Sequence, residues 1–577
     1  MTALTDRTRR RDDDADRRRM GRCGARRAAC SSCSPYIARR RWVTASDGRQ
    51  VVLRNLTETP SRSRIKKFWG CWLADYDVVR IGNLDIGVSM SGLSSISSHS
   101  GLYVAGEWAE DPGREWLQVL NPSNEEVVGR IPLATRRDVD RAVDAAVEVH
   151  ESGSWRAVDL AERVKLLEAI AQGIERRAAD FDRTYVLDQG GLASFAGAIT
   201  AMGANVFRAT AVFAEQIDLG PTLRETLGEA VYLSREPVGP VAAIVPWNSP
   251  LNLAAVKIAS ALLAGCPIVV KVDPVAPLAL FLLAEVIEEV GVPAGVVSFL
   301  PGGREVGEQL VSHPGIRAIT FTGSTRAGQQ VMIAAAQRMT RVMLELGGKS
   351  AAIALEDADP AQFAPLIAFG SVLQAGQVCT TQSRILVPAS RKDEWIPALT
   401  EAFRALVVGD PADSATTVGP LATQAQLDRV EAFVARARED GATVLTGGAK
   451  PKGSAFDRGY WYQPTLITDT NPEMQITCEE VFGPVITVQP YDDLDDAIAI
   501  ANSTEFGLNN GIYTPDTDKA IAVAPRLTSG VVSVNTFGPS ALAPYGGMKM
   551  SGMGREGGLE GVLEFTEIKQ INVAHMS

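Results

Sequence analysis

From residue 102 onward, short apolar runs alternate with longer segments in which apolar positions recur at helical spacing. The clearest series spans residues 241–346, where Gly or Pro closes several of the segments. The pattern predicts five strands: Val241–Val245, Ile268–Val272, Val296–Leu300, Ile316–Thr322 and Arg341–Leu346. Between them it predicts four helices: Leu251–Leu263, Pro277–Val290, Glu305–Ser312 and Ala327–Gln337. Such alternation builds βαβ units and therefore a parallel sheet.

The pattern continues on both sides of this series. Residues 102–132 carry short apolar runs that predict small strands, and helices are predicted at 136–149 and 160–188. A second α/β pattern runs from Ala351 to about Val534, with helical material at Phe363–Leu373 and a strand at Ser383–Val387. We therefore expect two α/β domains. Parallel sheets bind their ligands at the carboxyl ends of the strands.

Residues 1–100 lack this periodicity and differ in charge. They hold 20 Lys and Arg and only 10 Asp and Glu, so this segment is basic. The remaining residues hold 37 of the 57 basic and 58 of the 68 acidic residues, so the rest of the chain is acidic. We expect residues 1–100 to be a disordered or non-native extension, with the working start near Met90 as a hypothesis. Cys30 and Cys33 have the spacing of a metal-binding pair, but no second pair or His cluster accompanies them, so no metal site is predicted.

Composition narrows the class of protein. The 577 residues are 46% hydrophobic and 22% charged, which favours a globular fold and excludes collagen-like, coiled-coil and disulfide-scaffold classes. The acidic body disfavours nucleic acid as a partner, and no apolar run reaches the roughly 18 residues of a membrane helix. Four of the seven cysteines lie in residues 1–100, which leaves three for the rest of the chain. We therefore expect no disulfide framework, and we expect the protein to be cytoplasmic. Cys266 and Cys478 are expected to pack in the core.

A glycine-rich turn, Phe321–Gly328 (FTGSTRAG), follows a predicted strand and opens a predicted helix. Gly323 would let the backbone turn tightly, and the helix start offers free N–H groups and a positive dipole end to a phosphate. Taken alone, an ordinary strand–helix turn is an equal alternative, because no Gly-x-Gly-x-x-Gly opens any unit.

Several motifs stand in one order along the chain: Pro246-Trp247-Asn248, Lys271, the FTGSTRAG turn, Glu345–Lys349 (ELGGK), Gly376–Cys379 (GQVC), Glu479–Pro484 (EEVFGP), Pro544–Lys549 (PYGGMK) and Ser551-Gly552. Together they resemble the aldehyde dehydrogenase superfamily over about residues 102–572. The resemblance implies the hydrolytic, non-acylating, NAD(P)-dependent type. Such an enzyme oxidises an aldehyde to the carboxylic acid through a thiohemiacetal and a thioester on cysteine.

The resemblance implies catalytic roles for five residues. Cys379 matches the nucleophile, and a lowered pKa would raise its thiolate fraction. Asn248 matches the amide that joins the nucleophile's own N–H in stabilising the oxyanion. Glu345 matches the base that activates water to hydrolyse the thioester. Lys257 and Glu556 match positions proposed for proton relay, with surface salt-bridging or solvation as the alternative.

The expected cofactor is NAD, with NADP open. The resemblance implies that Lys271 meets the adenosine ribose, Ser324 the pyrophosphate and Glu480 the nicotinamide ribose, with Phe482 beside the nicotinamide. A capping role is the alternative for Glu480. The remaining expected cofactor contacts are Val245, Pro246, Trp247, Gly323, Gly328, Leu346 and Gly347.

Three positions depart from the family pattern. Pro274 stands where many NAD-preferring members have Glu, and the loss of that carboxylate removes one reason to reject NADP. Whether the neighbouring Asp273 takes the place of the missing Glu is left open by the sequence. Ser249 and Val256 stand where other members have an aromatic residue or Trp. Smaller residues there suggest a wider tunnel and hence a hydrophobic or bulky aldehyde.

The resemblance also implies a Rossmann-like cofactor domain (residues 102–212 and 235–346), a catalytic α/β domain (residues 347–545) and a small β oligomerisation element (residues 213–234 and 546–577). In this element Gly220–Arg235 would pair with a C-terminal strand near Phe565–Val573, and a homodimer or homotetramer is expected. Two other functions stay open. One is a CoA-acylating semialdehyde dehydrogenase, against which Glu345 argues, and the other is a catalytically silent family member.

Overall fold

The computed structural model describes residues 101–573, apart from residues 227–228, 539 and 541–542, and two short strands nearer the amino terminus. Those strands, Trp42–Thr44 and Gln50–Val52, pair antiparallel. The predictions for the rest of residues 1–100, including Cys30 and Cys33, lie outside the described residues. In the described ranges no helix is long and apolar enough to cross a membrane, and no group of three or more His, Cys, Asp or Glu could hold a metal ion.

The alternating segment forms a six-stranded sheet. Five of its strands are parallel and the last is antiparallel, in the order Val297–Pro301, Ile268–Val272, Val241–Ile244, Ala318–Thr322, Arg341–Glu345 and Gly552–Met553. The connecting helices are Pro250–Ala264, Leu278–Glu289, Arg304–Ser312 and Thr325–Ala336. Every predicted strand and helix of this series is confirmed, with ends that differ by no more than two residues.

Burial explains this agreement. Every residue of the strands Val241–Ile244 and Ile268–Val272 is buried, as expected for a parallel sheet covered on both faces. The helix Pro250–Ala264 has proline in its first turn and ends at Gly265, whose φ is +92°, and both features are typical of those positions. The strand order brings the residues that follow several parallel strands to one edge of the sheet.

For the helices that precede this sheet, one prediction is wrong and one helix was not predicted. They are Arg136–Ser152, Leu160–Arg176, Ala178–Leu187 and Ala193–Val212. A single helix is predicted over 160–188, but it breaks at Arg177, whose φ of −106° and ψ of 20° leave the helical region, and whose guanidinium forms an ion pair with Glu285. The helix Ala193–Val212 has no predicted counterpart, since its small and apolar residues leave little polar face to mark a period.

A seven-stranded sheet follows directly after Glu345. Its order is Thr443–Thr446, Thr465–Thr468, Val485–Tyr491, Arg384–Pro388, Ala351–Ala354, Asn509–Tyr513 and Val531–Val534. All neighbours are parallel except the first pair. Its helices are Pro360–Ser371, Lys392–Arg404, Gln424–Glu439, Gln475–Cys478, Leu494–Asn502 and Thr517–Val523. The predicted fold class, with two α/β patterns in sequence, is confirmed.

Smaller elements complete the described chain. A three-stranded antiparallel sheet joins Thr222–Thr226, Glu229–Pro237 and Thr566–Ile571, so the predicted pairing of a mid-chain segment with the C-terminal strand is present. Three two-stranded pairs are Leu102–Val104 with Glu107–Ala109, Trp116–Leu120 with Val127–Pro132, and Phe506–Gly507 with Met548–Lys549. A short helix, Gly558–Leu563, precedes the last strand.

Candidate active site

Cys379 lies in a tightly packed turn between a helix and a strand of the seven-stranded sheet. Before it, Gln374 and Ala375 adopt left-handed backbone with φ of +51° and +54°, and Gly376 follows with φ of +72°. A Cβ on Gly376 would lie 2.2 Å from the carbonyl oxygen of Gly483. Because no side chain fits at that approach, the path of the turn that presents the Cys379 thiol is fixed.

Asn248 reaches this turn from the six-stranded sheet. It is buried just beyond the strand Val241–Ile244, and its Nδ2 donates a hydrogen bond to the Gln377 carbonyl at 3.0 Å. The Gln374 side chain donates in return to the Asn248 carbonyl. These two bonds bring the predicted amide donor and the predicted nucleophile together, although they come from different sheets.

The Cys379 thiol is half-buried, and its Sγ lies 3.3 Å from the Tyr545 hydroxyl. Burial raises the pKa of this thiol to about 12; the hydrogen bond with Tyr545 opposes the rise, while Glu480 and Glu345 add to it. In this state the thiol therefore keeps its proton at neutral pH. Tyr545 has no predicted role, and its place in the PYGGMK motif is the only signal in the sequence.

Glu345 ends the strand Arg341–Glu345 and is 2% exposed. Neither of its carboxylate oxygens has a hydrogen-bond partner in the part of the chain that the structure describes. Burial raises its pKa well above the usual carboxyl range, and repulsion by Glu556 adds to this, while Lys257, Arg555 and the nearby backbone N–H of Gly547 oppose it. An unpaired carboxylate in a dry site is the state expected of a general base.

Lys257 and Glu556 form a buried ion pair next to this strand. Lys257 Nζ also donates to Thr320 Oγ1 at 3.1 Å and Thr322 Oγ1 at 2.8 Å, and the Thr320 hydroxyl donates to Glu556 at 2.9 Å. The two side chains are 0% and 6% exposed, so the surface alternative for them is wrong. Thr322 is the sheet partner of Glu345, which places the pair beside the predicted base.

Glu480 is anchored on the segment that follows Glu345. Its Oε1 accepts a hydrogen bond from the Gly348 N–H at 3.1 Å, across 132 positions of sequence, so it caps no local helix. A Cβ on Gly347 would lie 2.3 Å from Glu480 Oε2, and only glycine allows this approach. Burial raises the pKa of Glu480 to about 7, against the opposing effects of the Gly348 bond and of Lys349 and Arg429.

Aromatic side chains from both sheets meet beside this carboxylate. The Trp247 and Phe482 rings pack edge to face, with centroids 5.6 Å apart and planes at 83°. Phe482 has a φ of +59°, unusual for a bulky residue and a mark of a tightly constrained turn. On the other side of Trp247, Pro246 is half-buried, and the buried Val245 donates its N–H to the Lys271 carbonyl at 3.2 Å.

Lys271 and Asp273 form a polar pair just beyond the carboxyl end of the strand Ile268–Val272. Lys271 Nζ lies 3.6 Å from Asp273 Oδ2, and their side chains are 9% and 24% exposed. The other carboxylate oxygen of Asp273 accepts a hydrogen bond from the Val275 N–H at 3.0 Å. The pair therefore offers one fixed donor and one fixed acceptor at this sheet edge.

The FTGSTRAG turn joins a strand to a helix, as predicted. Gly323 donates its N–H to the Glu345 carbonyl at 3.0 Å, which links the turn to the predicted base. Ser324 caps the helix through a 3.3 Å hydrogen bond from the third residue's N–H to its hydroxyl. A Cβ on Gly328 would lie 2.5 Å from a Leu346 methyl, so glycine is needed for the helix to lie against that side chain.

The two remaining described cysteines differ from each other. Cys266 is buried, and its thiol donates to the Phe565 carbonyl at 3.2 Å, so its predicted place in the core is confirmed. Cys478 is exposed. The prediction that it packs in the core is wrong, because it is the last residue of the short surface helix Gln475–Cys478.

The family model of the aldehyde dehydrogenase family matches residues 108–571. This chain belongs to the aldehyde dehydrogenase family. It is 39% identical over 474 residues to geranial dehydrogenase of Castellaniella defragrans, an alignment covering 82% of this chain and 98% of the relative.

Two solved aldehyde dehydrogenases have the same fold. One, from Mycobacterium tuberculosis in complex with NAD+, is 40% identical with a TM-score of 0.80, covering 83% of this chain and 99% of that one. Betaine aldehyde dehydrogenase from Staphylococcus aureus, also with NAD+, is 35% identical with a TM-score of 0.81, covering 84% and 96%. This aldehyde dehydrogenase is thus an NAD(P)-dependent oxidoreductase.

The residues of this aldehyde dehydrogenase fit a nicotinamide dinucleotide. The Lys271–Asp273 pair suits the two hydroxyls of a ribose, and the capped helix after Gly323 presents its amino terminus at the strand edge. The Glu480 carboxylate, a hydrogen-bond acceptor suited to ribose hydroxyls, lies against the backbone of Gly347 and Gly348.

The unpaired Glu345 carboxylate predicts an unusual stability profile. Because its pKa is raised in the folded state, the folded protein binds more protons than the unfolded chain, and stability falls as pH rises above the usual carboxyl range of about 4.3. We predict that Glu345→Gln raises the thermal unfolding midpoint at pH 8 and that this gain shrinks towards pH 5.

Glu285→Gln is the matched control, since Glu285 is also buried but is paired with Arg177. This variant should lower the midpoint at pH 8, because it removes an ion-paired group rather than an unpaired one. A Glu345→Gln protein less stable than the native one at pH 8 would contradict the prediction.

Proposed function

We propose that this chain oxidises an aldehyde to the carboxylic acid with NAD+, using Cys379 as nucleophile and Glu345 as the base that activates water. The observation that carries the proposal is the buried carboxylate of Glu345. It has no hydrogen-bond partner within the described ranges, yet lies close enough to Cys379 to raise the pKa of its thiol.

The first half-reaction begins with loss of the Cys379 proton to solvent water. The sulfur then attacks the aldehyde carbon, a C–S bond forms, and the carbonyl electron pair moves onto oxygen. Asn248 Nδ2 and the Cys379 backbone N–H donate to that oxyanion. The former aldehyde hydrogen leaves with two electrons as hydride, for which a nicotinamide held at this site would supply the oxidant. An acyl thioester on Cys379 remains.

The second half-reaction hydrolyses this thioester. Glu345 takes a proton from water as the water oxygen attacks the acyl carbon, and the C–S bond breaks to release the carboxylic acid and leave Cys379 as a thiolate. The raised pKa makes Glu345 a stronger base than an exposed carboxylate. The neighbouring Lys257–Glu556 pair, bridged by Thr320, would pass the proton onward.

The CoA-acylating alternative is disfavoured by this carboxylate. A site that hands its acyl group to a thiol has no need of a water-activating base, whereas keeping an unpaired carboxylate buried costs stability. The silent-member alternative is disfavoured because Cys379, Asn248 and Glu345 are all present and lie in one cleft.

NAD rather than NADP is the coenzyme that we propose. The Asp273 carboxylate lies beside Lys271, one residue before the position at which many NAD-preferring members carry Glu. A carboxylate accepts hydrogen bonds from ribose hydroxyls and repels a 2′-phosphate. The solved relatives from Mycobacterium tuberculosis and Staphylococcus aureus are both complexes with NAD+.

A hydrophobic aldehyde is the proposed substrate class, and a cytoplasmic homodimer or homotetramer the proposed form. Ser249 and Val256 are smaller than the aromatic residue or Trp of other members, and the relative from Castellaniella defragrans is named geranial dehydrogenase. Tyr232 and Ile568 on the three-stranded sheet are 38% and 58% exposed, which favours a partner subunit there. Light scattering distinguishes the dimer from the tetramer.

Rapid mixing of Glu345→Gln with aldehyde and NAD+ tests the chemistry. We predict one equivalent of reduced nicotinamide per subunit in a burst, followed by turnover about 10²–10⁴-fold slower than native, because acylation proceeds while the water lacks its base. Mass spectrometry should find the acyl group on Cys379, and Cys379→Ala should give no burst. Native-like steady turnover by Glu345→Gln, or full dependence of turnover on CoA, would overturn the proposal.

Asp273→Ser tests the coenzyme choice through binding alone. Calorimetric titration without aldehyde should show NADP+ affinity rising at least about tenfold relative to NAD+, because a like charge next to the 2′-phosphate is removed. Asp413→Ser is the control, since Asp413 accepts the same kind of local bond, from Ala415 N at 2.9 Å. An unchanged NADP+ to NAD+ ratio in Asp273→Ser would refute the assignment.

The substrate class is tested with a series of linear and branched aldehydes. We expect kcat/KM to rise from acetaldehyde through C6 to C10 aldehydes, by about threefold to fourfold per added CH₂ until the tunnel is filled, following the roughly 0.8 kcal/mol gained per buried CH₂. A clear preference for acetaldehyde would rule out the wide apolar tunnel.

A further inference from the structure

The Tyr545 hydroxyl is directed at the sulfur of the nucleophile. Its oxygen lies 3.3 Å from Cys379 Sγ, within the range of a hydrogen bond to sulfur. Among the described residues this is the side-chain hydrogen bond that the sulfur makes. A phenylalanine at this position would keep the ring and lose only this contact.

Tyr545 is fixed in place by the residues of the proposed base and relay. Its N–H donates to the Glu556 carbonyl, and the Glu556 N–H donates to its carbonyl, both at 2.7 Å. The next residue, Gly546, lies so close to Glu345 that a Cβ on it would be 2.6 Å from the carboxylate oxygen. These backbone contacts fix the position from which the Tyr545 side chain reaches Cys379.

The electrostatic setting gives the contact its direction. Burial raises the pKa of Tyr545 far above its usual value, and the neighbouring Cys379 and Glu345 raise it further, so the phenol keeps its proton across the neutral range. While the thiol is protonated either group can donate to the other, but once the sulfur is a thiolate only the phenol can donate. Burial and the carboxylates of Glu480 and Glu345 raise the pKa of the Cys379 thiol. Among the effects that lower this pKa, the hydrogen bond with Tyr545 is the largest. A hydrogen-bond donor stabilises the charged form of its partner more than the neutral form.

We propose that Tyr545 is a positioning residue whose hydroxyl donates a hydrogen bond to the Cys379 sulfur and stabilises its thiolate at the moment of attack. The inference rests on the proposed function, because it gives the thiolate a role as nucleophile. The proton lost by Cys379 still goes to solvent water, and the phenol transfers none. Its contribution is to make that proton transfer less unfavourable.

Alkylation of Cys379 by iodoacetamide tests the proposal without aldehyde or coenzyme. Peptide mass spectrometry separates Cys379 from the other cysteines, and the rate constant is measured from pH 7 to 9.5. We expect Tyr545→Phe to react about tenfold more slowly than native at every pH, since loss of a hydrogen bond to a charged group raises the thiol pKa by about one unit. The same variant should lose kcat with little change in KM for NAD+.

Tyr491→Phe is the matched control, because the buried Tyr491 donates its hydroxyl to the Ala354 carbonyl at 2.7 Å and the thiol is not its partner. It should alkylate at the native rate, with thermal midpoints recorded for both variants. A second variant carrying 3-fluorotyrosine at position 545, a stronger donor with the same shape, should react faster than native.

The outcomes separate cleanly. If Tyr545 only fills space, Tyr545→Phe should alkylate at the native rate, or faster because the turn that carries Cys379 is loosened. Either result would overturn the proposal. A native protein that turns over no aldehyde, yet shows the slower alkylation in Tyr545→Phe, would contradict the proposed function and leave the hydrogen bond to sulfur established.

Discussion

The Glu345 carboxylate is buried at the end of a central strand, and within the described chain neither of its oxygens has a hydrogen-bond partner. Such a group costs stability unless it is neutral, so the surrounding structure must hold it there. Gly546 leaves room for it, the Gly323 N–H ties its backbone to the glycine-rich turn, and the Lys257–Glu556 pair lies beside it. The large buried cores of the two sheets offset the cost. What the fold keeps in return is a carboxylate free to accept a proton.

Because of this constraint, the two sheets contribute different residues to the candidate site. The six-stranded sheet supplies Asn248 and Glu345 at the carboxyl ends of its strands, while the seven-stranded sheet supplies the turn with Cys379 and the loop with Glu480. The chain crosses between the sheets directly after Glu345, and the glycines that follow let Glu480 approach its backbone. The crossing point is therefore also where the candidate active-site residues meet, as expected for ligand sites at strand ends.

Much of this could be predicted from the sequence, for physical reasons. The central strands are buried on both faces, so their apolar runs stand out, and the glycines and prolines mark the ends of their helices. The residues Asn248, Glu345 and Cys379 could be placed only through the resemblance of their motifs. The break at Arg177, the exposure of Cys478 and the raised pKa of Cys379 depend on packing between distant segments. Tyr545 escaped prediction for the same reason, since its partner lies 166 positions away.

The pH dependence of deacylation tests the central claim most directly. The acetyl group of p-nitrophenyl acetate can be placed on Cys379 without coenzyme, and its release measured from pH 4 to 9. A buried, unpaired Glu345 acting as base predicts that the release rate rises through a midpoint well above the usual carboxyl range of about 4.3. It also predicts that this rise disappears in Glu345→Gln. A midpoint near 4.3, or the same profile in both proteins, would contradict the account.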